Sequence, residues 1–245
     1  MDLTHSYMNA FSEQLLGKYT WLETRNAAAI MGASNPALLT DLSDVLSEFF
    51  LYDTDILVAG GNRGPIAIRL DTAFFERGWS AVRVNTEFRL VGQKKKALTS
   101  RAYEENFLAT TVSNDGFEVD NMKGRVAIDV EWNAKDGNLD RDLAAYRALY
   151  DLGLIDLGVI ITRDHQGIRD LAGQELGSED AFRRLGTTTT TNMIKLEPRI
   201  TRGDAGGCPI LAIGITKSTW AGLGVVAPPV DAAVELADMG HDVPD

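Results

Sequence analysis

A strand–helix–strand pattern in the middle of the chain limits the fold more than any other feature. Arg125–Trp132 alternates apolar and polar residues, Leu139–Leu152 is typical of a helix, and Ile155–Arg163 is an apolar run broken by few polar residues. A strand as apolar as the last is normally buried on both faces. With another apolar strand at Pro209–Thr216, the pattern predicts an α/β fold with a central mixed β-sheet flanked by helices.

The remaining elements suggest one domain with a short tail. We predict a domain over residues 1–217 whose first part, residues 1–56, is helical, and a peripheral C-terminal tail at residues 218–245. Further expected elements are the helices Leu38–Leu51 and Pro65–Trp79, a strand at Ala81–Val91, two short helices within Gln166–Leu185 and a polar connection at Gly186–Gly207.

The acidic charge of the chain is confined to its two ends. The chain carries 24 Lys and Arg against 35 Asp and Glu, a net charge of −11. Residues 1–56 account for −6 and residues 218–245 for −5, so residues 57–217 are neutral. A neutral segment can still present a local basic surface, and nucleic acid therefore remains a possible partner.

The cysteine and histidine content argues against two common features, a disulfide within the chain and a zinc centre. The single cysteine, Cys208, allows no disulfide within the chain, and three scattered histidines make a zinc centre improbable. The N-terminal residues show no basic region followed by an apolar stretch, and no run is long enough to span a bilayer. We expect a cytoplasmic protein without a membrane segment.

Two acids on the central strand are candidates for binding a metal ion. Val126, Ile128 and Val130 share one face of this strand, so Asp129 and Glu131 lie side by side on the other, about 7 Å apart at Cβ. Neighbouring carboxylates repel each other, and burial raises that cost. A bound divalent cation offsets this repulsion between the carboxylates.

A third acid can join this pair. Asp120 precedes Asp129 by nine residues, and a hairpin turn at Gly124 brings the two together. Three carboxylates without imidazole or thiolate suit Mg²⁺ or Mn²⁺. The alternative is a half-exposed strand whose acids face water. A calcium loop beginning at Asp136 is disfavoured, because Arg141 and Arg147 occupy the places of its essential Gly and Glu.

These residues resemble a known family. Asp120–Trp132 and Pro209–Ile215 are similar to the catalytic core of BglII- and BstYI-type type II restriction endonucleases, of the PD-(D/E)xK nuclease superfamily; the likeness extends from about Gly61 to Thr216. Glu131 stands where the superfamily usually has lysine. The resemblance implies a restriction-endonuclease-like core and Mg²⁺-dependent hydrolysis of double-stranded DNA at a short palindrome with a GATC core. The expected products carry 5′-phosphate and 3′-hydroxyl ends.

The resemblance also implies roles for individual residues. Asp120 and Asp129 would hold one or two Mg²⁺ ions, or Mn²⁺ as a substitute, and the Val130 carbonyl would complete the coordination. Glu131 would orient or deprotonate water and would also help to bind a second ion. Each basic candidate for DNA binding could instead be a solvated surface residue. The candidate DNA-binding residues are Asn133, Lys135, Thr188, Thr189, Thr190, Asn192, Lys195, Arg199, Arg202, Arg63, Lys94, Lys95 and Lys96.

A palindromic target implies a two-fold symmetric protein. We therefore expect a homodimer, and a cognate DNA methyltransferase in the same restriction-modification system, though not as a stable partner. Two alternatives remain open from the sequence. One is a repair or junction nuclease on the same core, and the other is a non-catalytic DNA-binding protein with a degenerate core.

Overall fold

The computed structural model describes residues 1–58, 64–105, 107–187 and 189–229. Contacts divide the chain into two compact units. One unit consists of Met1–Ala81 together with Val119–Asp245, and the other is Val82–Glu118. The domain predicted over residues 1–217 includes both units. No helix among the described residues is long and apolar enough to cross a membrane.

Helices and strands alternate along the chain. The α-helices are α1 (Tyr7–Ala10), α2 (Glu13–Lys18), α3 (Ala27–Ser34), α4 (Pro36–Glu48), α5 (Asp53–Leu57), α6 (Pro65–Glu76), α7 (Gly137–Asp151), α8 (Gln166–Asp170), α9 (Glu179–Leu185) and α10 (Met193–Arg202). The strands are β1 (Tyr19–Thr24), β2 (Ser80–Gly92), β3 (Leu108–Lys123), β4 (Val126–Val130), β5 (Leu157–Arg163) and β6 (Ile210–Ile215). A π-helical turn, Leu171–Glu175, joins α8 to α9.

Within the described residues, these strands form one mixed sheet in the order β1-β6-β5-β4-β3-β2. The strands β4, β5 and β6 run parallel, whereas β1 is antiparallel to β6 and β3 is antiparallel to β4. The prediction of an α/β fold with a mixed sheet flanked by helices is confirmed. The parallel strands also explain why β5 and β6 are apolar on both faces: every residue of each is buried.

The central strand β4 is buried on both faces too. Val126, Ile128 and Val130 join the main hydrophobic core on one face, as the alternation predicts. Ala127 on the other face is also fully buried. Helix α7 packs on the sheet through Tyr146, whose hydroxyl donates a 2.7 Å hydrogen bond to the carbonyl of Val159 in β5. The interpretation of a half-exposed strand with acids facing water is therefore wrong.

A tight hairpin joins β3 to β4. Gly124 adopts φ +56°, a left-handed conformation that glycine reaches without a steric penalty. The antiparallel register pairs Lys123 with Val126 and Asn121 with Ile128, so one further step brings Asp120 opposite Asp129. The turn and its consequence for the two acids agree with the sequence prediction.

Three predicted segments differ from the structure. The N-terminal part is not wholly helical, because Tyr19–Thr24 forms β1, which pairs with β6 along its full length. The polar connection Gly186–Gly207 contains α10, whose Met193, Leu196 and Ile200 form a buried face. The first residues of the predicted tail are integrated into the fold, since backbone hydrogen bonds join Thr219 and Ala221 to Leu51.

The packing of α7 on β5 yields a prediction. Gly158→Ala places a methyl group about 2.2 Å from the Tyr146 ring, closer than atoms can approach. We expect a loss of about 1–3 kcal/mol in the free energy of unfolding, measured by urea denaturation. Gly17→Ala is the control, because nothing lies near that position in α2; it should be neutral or stabilising by up to about 1 kcal/mol. Equal effects of the two substitutions would contradict the prediction.

Candidate active site

Four carboxylates meet at the carboxyl end of β4. Asp129 is the fourth residue of β4 and Glu131 directly follows the strand; their exposed fractions are 2% and 3%. Asp120 lies near the end of β3 and is exposed. Asp142, from α7, is 1% exposed and belongs to the same cluster through its interactions with Asp129 and Glu131. The structure thus brings together the three acids predicted from the sequence.

Reciprocal hydrogen bonds fix Asp120 to Asp129. The amide of Asp120 donates to Oδ1 of Asp129 at 2.9 Å, and the amide of Val130 donates to Oδ2 of Asp120 at 3.3 Å. These bonds hold the two side chains against the hairpin, while Oδ2 of Asp129 keeps no hydrogen-bond partner among the residues that the structure describes. The pair therefore presents a buried carboxylate oxygen beside an exposed acid.

The backbone at Glu131 is anchored on two sides. Its amide donates to the Ile161 carbonyl at 2.8 Å, and its carbonyl accepts from the hydroxyls of Thr162 and Thr191 at 2.8 and 2.7 Å. Because both the amide and the carbonyl of Glu131 are hydrogen-bonded, its backbone is held in place, and this fixes the position from which the side chain extends. Within the described part of the chain, its Oε2 atom has no hydrogen-bond partner.

Helix α7 supplies two residues that the sequence analysis missed. Asp142 and the preceding Arg141 reach the cluster: Nη2 of Arg141 lies 3.0 Å from Oδ1 of Asp142 and 3.8 Å from Oε1 of Glu131. In the sequence, the acids of this region resemble an incomplete calcium loop, which Arg141 and Arg147 disfavour. The available signal was an acid on the apolar face of a helix, between Leu139 and Tyr146, both fully buried.

Burial and mutual repulsion raise the pKa values of these acids. Burial is the main cause for Asp129, whose pKa lies well above its usual range, and the charges of Asp142 and Asp120 add to it. Burial likewise raises the pKa of Glu131 to about 7. The pKa of Asp142 rises to about 8 through burial and the charge of Glu131, with Arg141 opposing. Negative charge in this cluster is strongly disfavoured without a cation.

The donor set suits a divalent cation. Among the described residues, no group of three or more His, Cys, Asp or Glu is already arranged to hold a metal ion. However, Asp129, Glu131 and Asp142 each keep one buried oxygen without a hydrogen-bond donor. Hard oxygen ligands of this kind match Mg²⁺ or Mn²⁺, which are commonly held by one or two carboxylates together with water and phosphate oxygens.

A buried arginine connects the end of β4 to the threonine-rich loop. Arg163, at the end of β5, is fully buried and donates to Oδ1 of Asn133 at 2.7 Å. Its other amino groups donate to the Leu185 carbonyl at 2.9 Å and to the Thr190 hydroxyl at 3.1 Å. Burial lowers the Arg163 pKa to about 10. Asn133 and Thr190, both predicted to contact DNA, therefore also have structural bonds.

Backbone pairing places part of the threonine-rich loop beside the chain that leaves β4. The amide of Asp136 donates to the Thr189 carbonyl, and the amide of Thr191 donates to the Ala134 carbonyl, both at 2.9 Å. Lys135 and Thr190 form the bridge between these bonds. The side chains of Lys135 and Thr189 are exposed, so these two predicted DNA contacts are accessible close to the carboxylates.

Other predicted DNA contacts are engaged within the protein. Asn192 is buried and its Oδ1 caps α10 by accepting from the Lys195 amide; its contact with DNA stays a prediction. Arg199 binds Asp140 through two hydrogen bonds of 2.7 and 3.0 Å. The remaining ion pairs join Lys195 to Asp136 and Arg202 to Asp204.

Three further candidates lie in the other compact unit, and two are not described. Lys94, Lys95 and Lys96 belong to the unit Val82–Glu118 and are exposed. The Lys94 ammonium stands 5.2 Å from the centre of the Phe107 ring. Arg63 and Thr188 lie outside the described residues.

The raised pKa of Glu131 predicts a pH effect on stability in chelating buffer. The folded chain holds this proton more tightly than the unfolded chain, so Glu131 lowers the free energy of unfolding progressively as pH rises from about 4.5 to about 7. We expect Glu131→Gln to raise Tm above that of the unsubstituted chain by at least about 2–4 °C at pH 8 and by less at pH 5.

His165 has a lowered pKa, so its titration makes the folded chain more stable as pH rises, opposite to the effect of Glu131. Comparing the variant with the unsubstituted chain removes the contribution of His165, which both share. Calorimetry of Glu76→Gln, at an exposed acid in α6, gives the matched control and should show no pH-dependent difference. A Tm difference for Glu131→Gln that stays constant between pH 5 and pH 8 would rule out this interpretation.

Comparison with known proteins agrees with the geometry. A family model described as restriction endonuclease BglII/BglIII matches residues 19–215, about four fifths of the chain. The match begins at the first residue of β1 and ends at the last residue of β6, so it includes the entire sheet. No curated protein matches the chain. The chain therefore belongs to the BglII/BglIII family of restriction endonucleases, type II site-specific deoxyribonucleases that act on double-stranded DNA and generally use a divalent metal ion.

Proposed function

We propose that this endonuclease cleaves double-stranded DNA at a short palindrome with a GATC core, uses Mg²⁺, and leaves 5′-phosphate and 3′-hydroxyl ends. The observation that carries the metal requirement is the cluster of Asp129, Glu131 and Asp142, with buried oxygens that lack donors, beside the exposed Asp120. The likeness of Asp120–Trp132 to BglII- and BstYI-type enzymes supports the GATC core and the end chemistry.

In this proposal Asp120 and Asp129 bind the Mg²⁺ ion, assisted by the Val130 carbonyl. A bound Mg²⁺ stabilises negative charge on the phosphate and makes water a better nucleophile. Glu131 orients the attacking water and accepts its proton.

Recognition is proposed for the chain segments that follow β4. Lys135 and Thr189 are exposed, and Thr190 is held next to Lys135 by the bridge between their segments. An ammonium group binds backbone phosphates, and hydroxyls can contact phosphates or base edges. Arg199 and Arg202 are also proposed to bind DNA, which requires exchanging their ion pairs with Asp140 and Asp204 for phosphate.

The proposed assembly is a homodimer with one active site for each strand of the palindrome. A DNA methyltransferase of the same specificity is expected in the same restriction-modification system, because host DNA with the target sequence must be protected. We place both activities in the cytoplasm.

Digestion of unmethylated phage DNA with the purified full-length chain and Mg²⁺ tests this function. We expect discrete fragments whose sequenced ends share one GATC-containing palindrome, and direct ligation of these ends without a kinase step. Replacing Mg²⁺ by chelator should abolish cleavage. Fragments with random ends, or ends that require phosphorylation before ligation, would contradict the proposal.

The role of Asp129 is tested by Asp129→Asn. The amide retains an acceptor for the Asp120 amide but removes the charge that a cation requires, so cleavage in Mg²⁺ should fall by more than about 100-fold. DNA binding in Ca²⁺, measured by gel shift, should remain largely intact. Asp151→Asn, at an exposed acid on α7, is the matched control and should cleave normally. Full activity of Asp129→Asn would remove this residue from the site.

The role of Lys135 is tested through the salt dependence of binding. Lys135→Ala removes one phosphate contact, so the slope of log K against log salt should decrease by about 1, in fluorescence titrations in Ca²⁺. Arg147→Ala, an exposed position in the C-terminal half of α7, removes the same charge and serves as control. A slope unchanged by Lys135→Ala, or equally reduced by Arg147→Ala, would show that Lys135 does not contact phosphate.

A further inference from the structure

A fully buried arginine, Arg163, joins three separate segments of the chain beside the candidate active site. Its guanidinium donates to Oδ1 of Asn133 at 2.7 Å, to the Leu185 carbonyl at 2.9 Å and to the Thr190 hydroxyl at 3.1 Å. None of these three acceptors is a carboxylate. A planar group with several N–H donors suits this arrangement, whereas lysine offers a single nitrogen from which to reach all three acceptors.

The residue before Arg163 is bonded to the backbone of the active-site acid Glu131. The Thr162 hydroxyl donates to the Glu131 carbonyl at 2.8 Å, and the Thr191 hydroxyl donates to the same carbonyl at 2.7 Å. Thr162 and Thr191 are both fully buried. Residues 189–191 are therefore bonded to the backbone of Glu131 as well as to Arg163, and a displacement of this segment must disturb both bonds.

Arg163 also holds the turn by which the chain leaves β4. Asn133 has φ +53°, a left-handed conformation that residues other than glycine seldom adopt. Such a conformation persists where the surroundings fix it, and here the Asn133 side chain accepts from Nε of Arg163. The next residue continues the connection, since the Ala134 carbonyl accepts from the Thr191 amide at 2.9 Å.

We propose that Arg163 is a positioning residue through which recognition of the DNA sequence controls cleavage. It keeps Glu131 and residues 189–191 at a fixed spacing, so a DNA site that does not match this segment also presents its phosphate poorly to Glu131. Because the Arg163 side chain is fully buried, its effect is on the arrangement of these groups and not on a contact with substrate. The inference rests on the proposed function, in which these segments face DNA.

Arg163→Lys tests this role through cleavage of matched and mismatched sites. Lysine keeps the charge but cannot bond all three acceptors. We expect kcat/KM at the target site to fall by about 10-fold or more, chiefly through kcat. At sites with one altered base pair it should fall by no more than about twofold, so discrimination decreases at least about 5-fold. Arg77→Lys is the matched control, because Arg77 is a partly buried arginine bonded to Glu48 and the Ala73 carbonyl; its discrimination should not change.

A purely structural role for Arg163 predicts a different result. The folded fraction of Arg163→Lys would then fall equally toward all sites, and the ratio of the kcat/KM values would stay constant. Asn133→Gly provides a second variant in case Arg163→Lys does not fold, since glycine adopts the left-handed conformation without penalty and removes only the acceptor of Arg163. It should reduce discrimination in the same direction. In the double variant the two effects should not add, and additive effects would contradict a role exerted through this bond.

Hydrogen exchange of the free protein tests the inference without DNA or metal. The amides of Asp136 and Thr191 join the chain after β4 to residues 189–191. Relative to the amides of β1, their exchange should quicken by about 10-fold or more in Arg163→Lys and in Asn133→Gly, but not in Arg77→Lys.

These outcomes distinguish the inference from the proposed function. Unchanged exchange at the two amides, or unchanged discrimination in Arg163→Lys, would overturn the role of Arg163 while leaving Mg²⁺-dependent cleavage intact. Failure of the unsubstituted chain to cleave DNA with any divalent cation would overturn the proposed function, and hydrogen exchange would still decide whether Arg163 fixes the two segments.

Discussion

Repulsion between buried carboxylates at the end of β4 is the constraint around which this fold is arranged. Asp129 and Glu131 sit on a strand buried on both faces, and α7 adds Asp142 to them. A buried charge without a partner is among the most costly groups in a protein. The surrounding elements tolerate it because they are strongly fixed: the Glu131 backbone is bonded on both sides, and Tyr146 anchors α7 to β5. The rigidity keeps the acids together until a cation or a proton relieves them.

Arg163 is a second buried charge held by a rigid set of hydrogen bonds, and it lies between the acids and the loop proposed to recognise DNA. This buried guanidinium has no carboxylate partner among its hydrogen bonds; it binds Asn133 beyond β4, the Leu185 carbonyl and the Thr190 hydroxyl. Such an arginine cannot leave its site without exposing several unsatisfied acceptors. It therefore fixes the segment that follows the acids relative to the threonine-rich loop. In the proposed complex, this fixes the distance between the acids that face a phosphate and the loop that faces a base pair.

The sequence predicted those parts of the site that depend on local pattern. Alternation in β4 and the glycine at 124 are properties of neighbouring residues, and they located Asp120, Asp129 and Glu131. Asp142 could not be found in the same way, since its role depends on how α7 lies over the sheet. Asn192 shows the converse case: in the sequence it is an amide in a polar segment, whereas in the structure it caps α10, whose buried face was not predicted.

The strand β1 was not predicted from the sequence for a related reason. Its residues lie in an N-terminal region dominated by helices, and the partner that makes it a strand, β6, is almost two hundred residues away in the sequence. The effective charge of a basic residue likewise depends on partners that are distant in the sequence. Arg199 and Lys195 appear basic in the sequence, yet Asp140 and Asp136 neutralise them in the fold. For an acidic chain, this pairing weakens indiscriminate attraction to DNA. In the proposed mode of binding, phosphate displaces an acid or meets an exposed lysine, which favours contacts formed at a specific sequence over contacts formed anywhere.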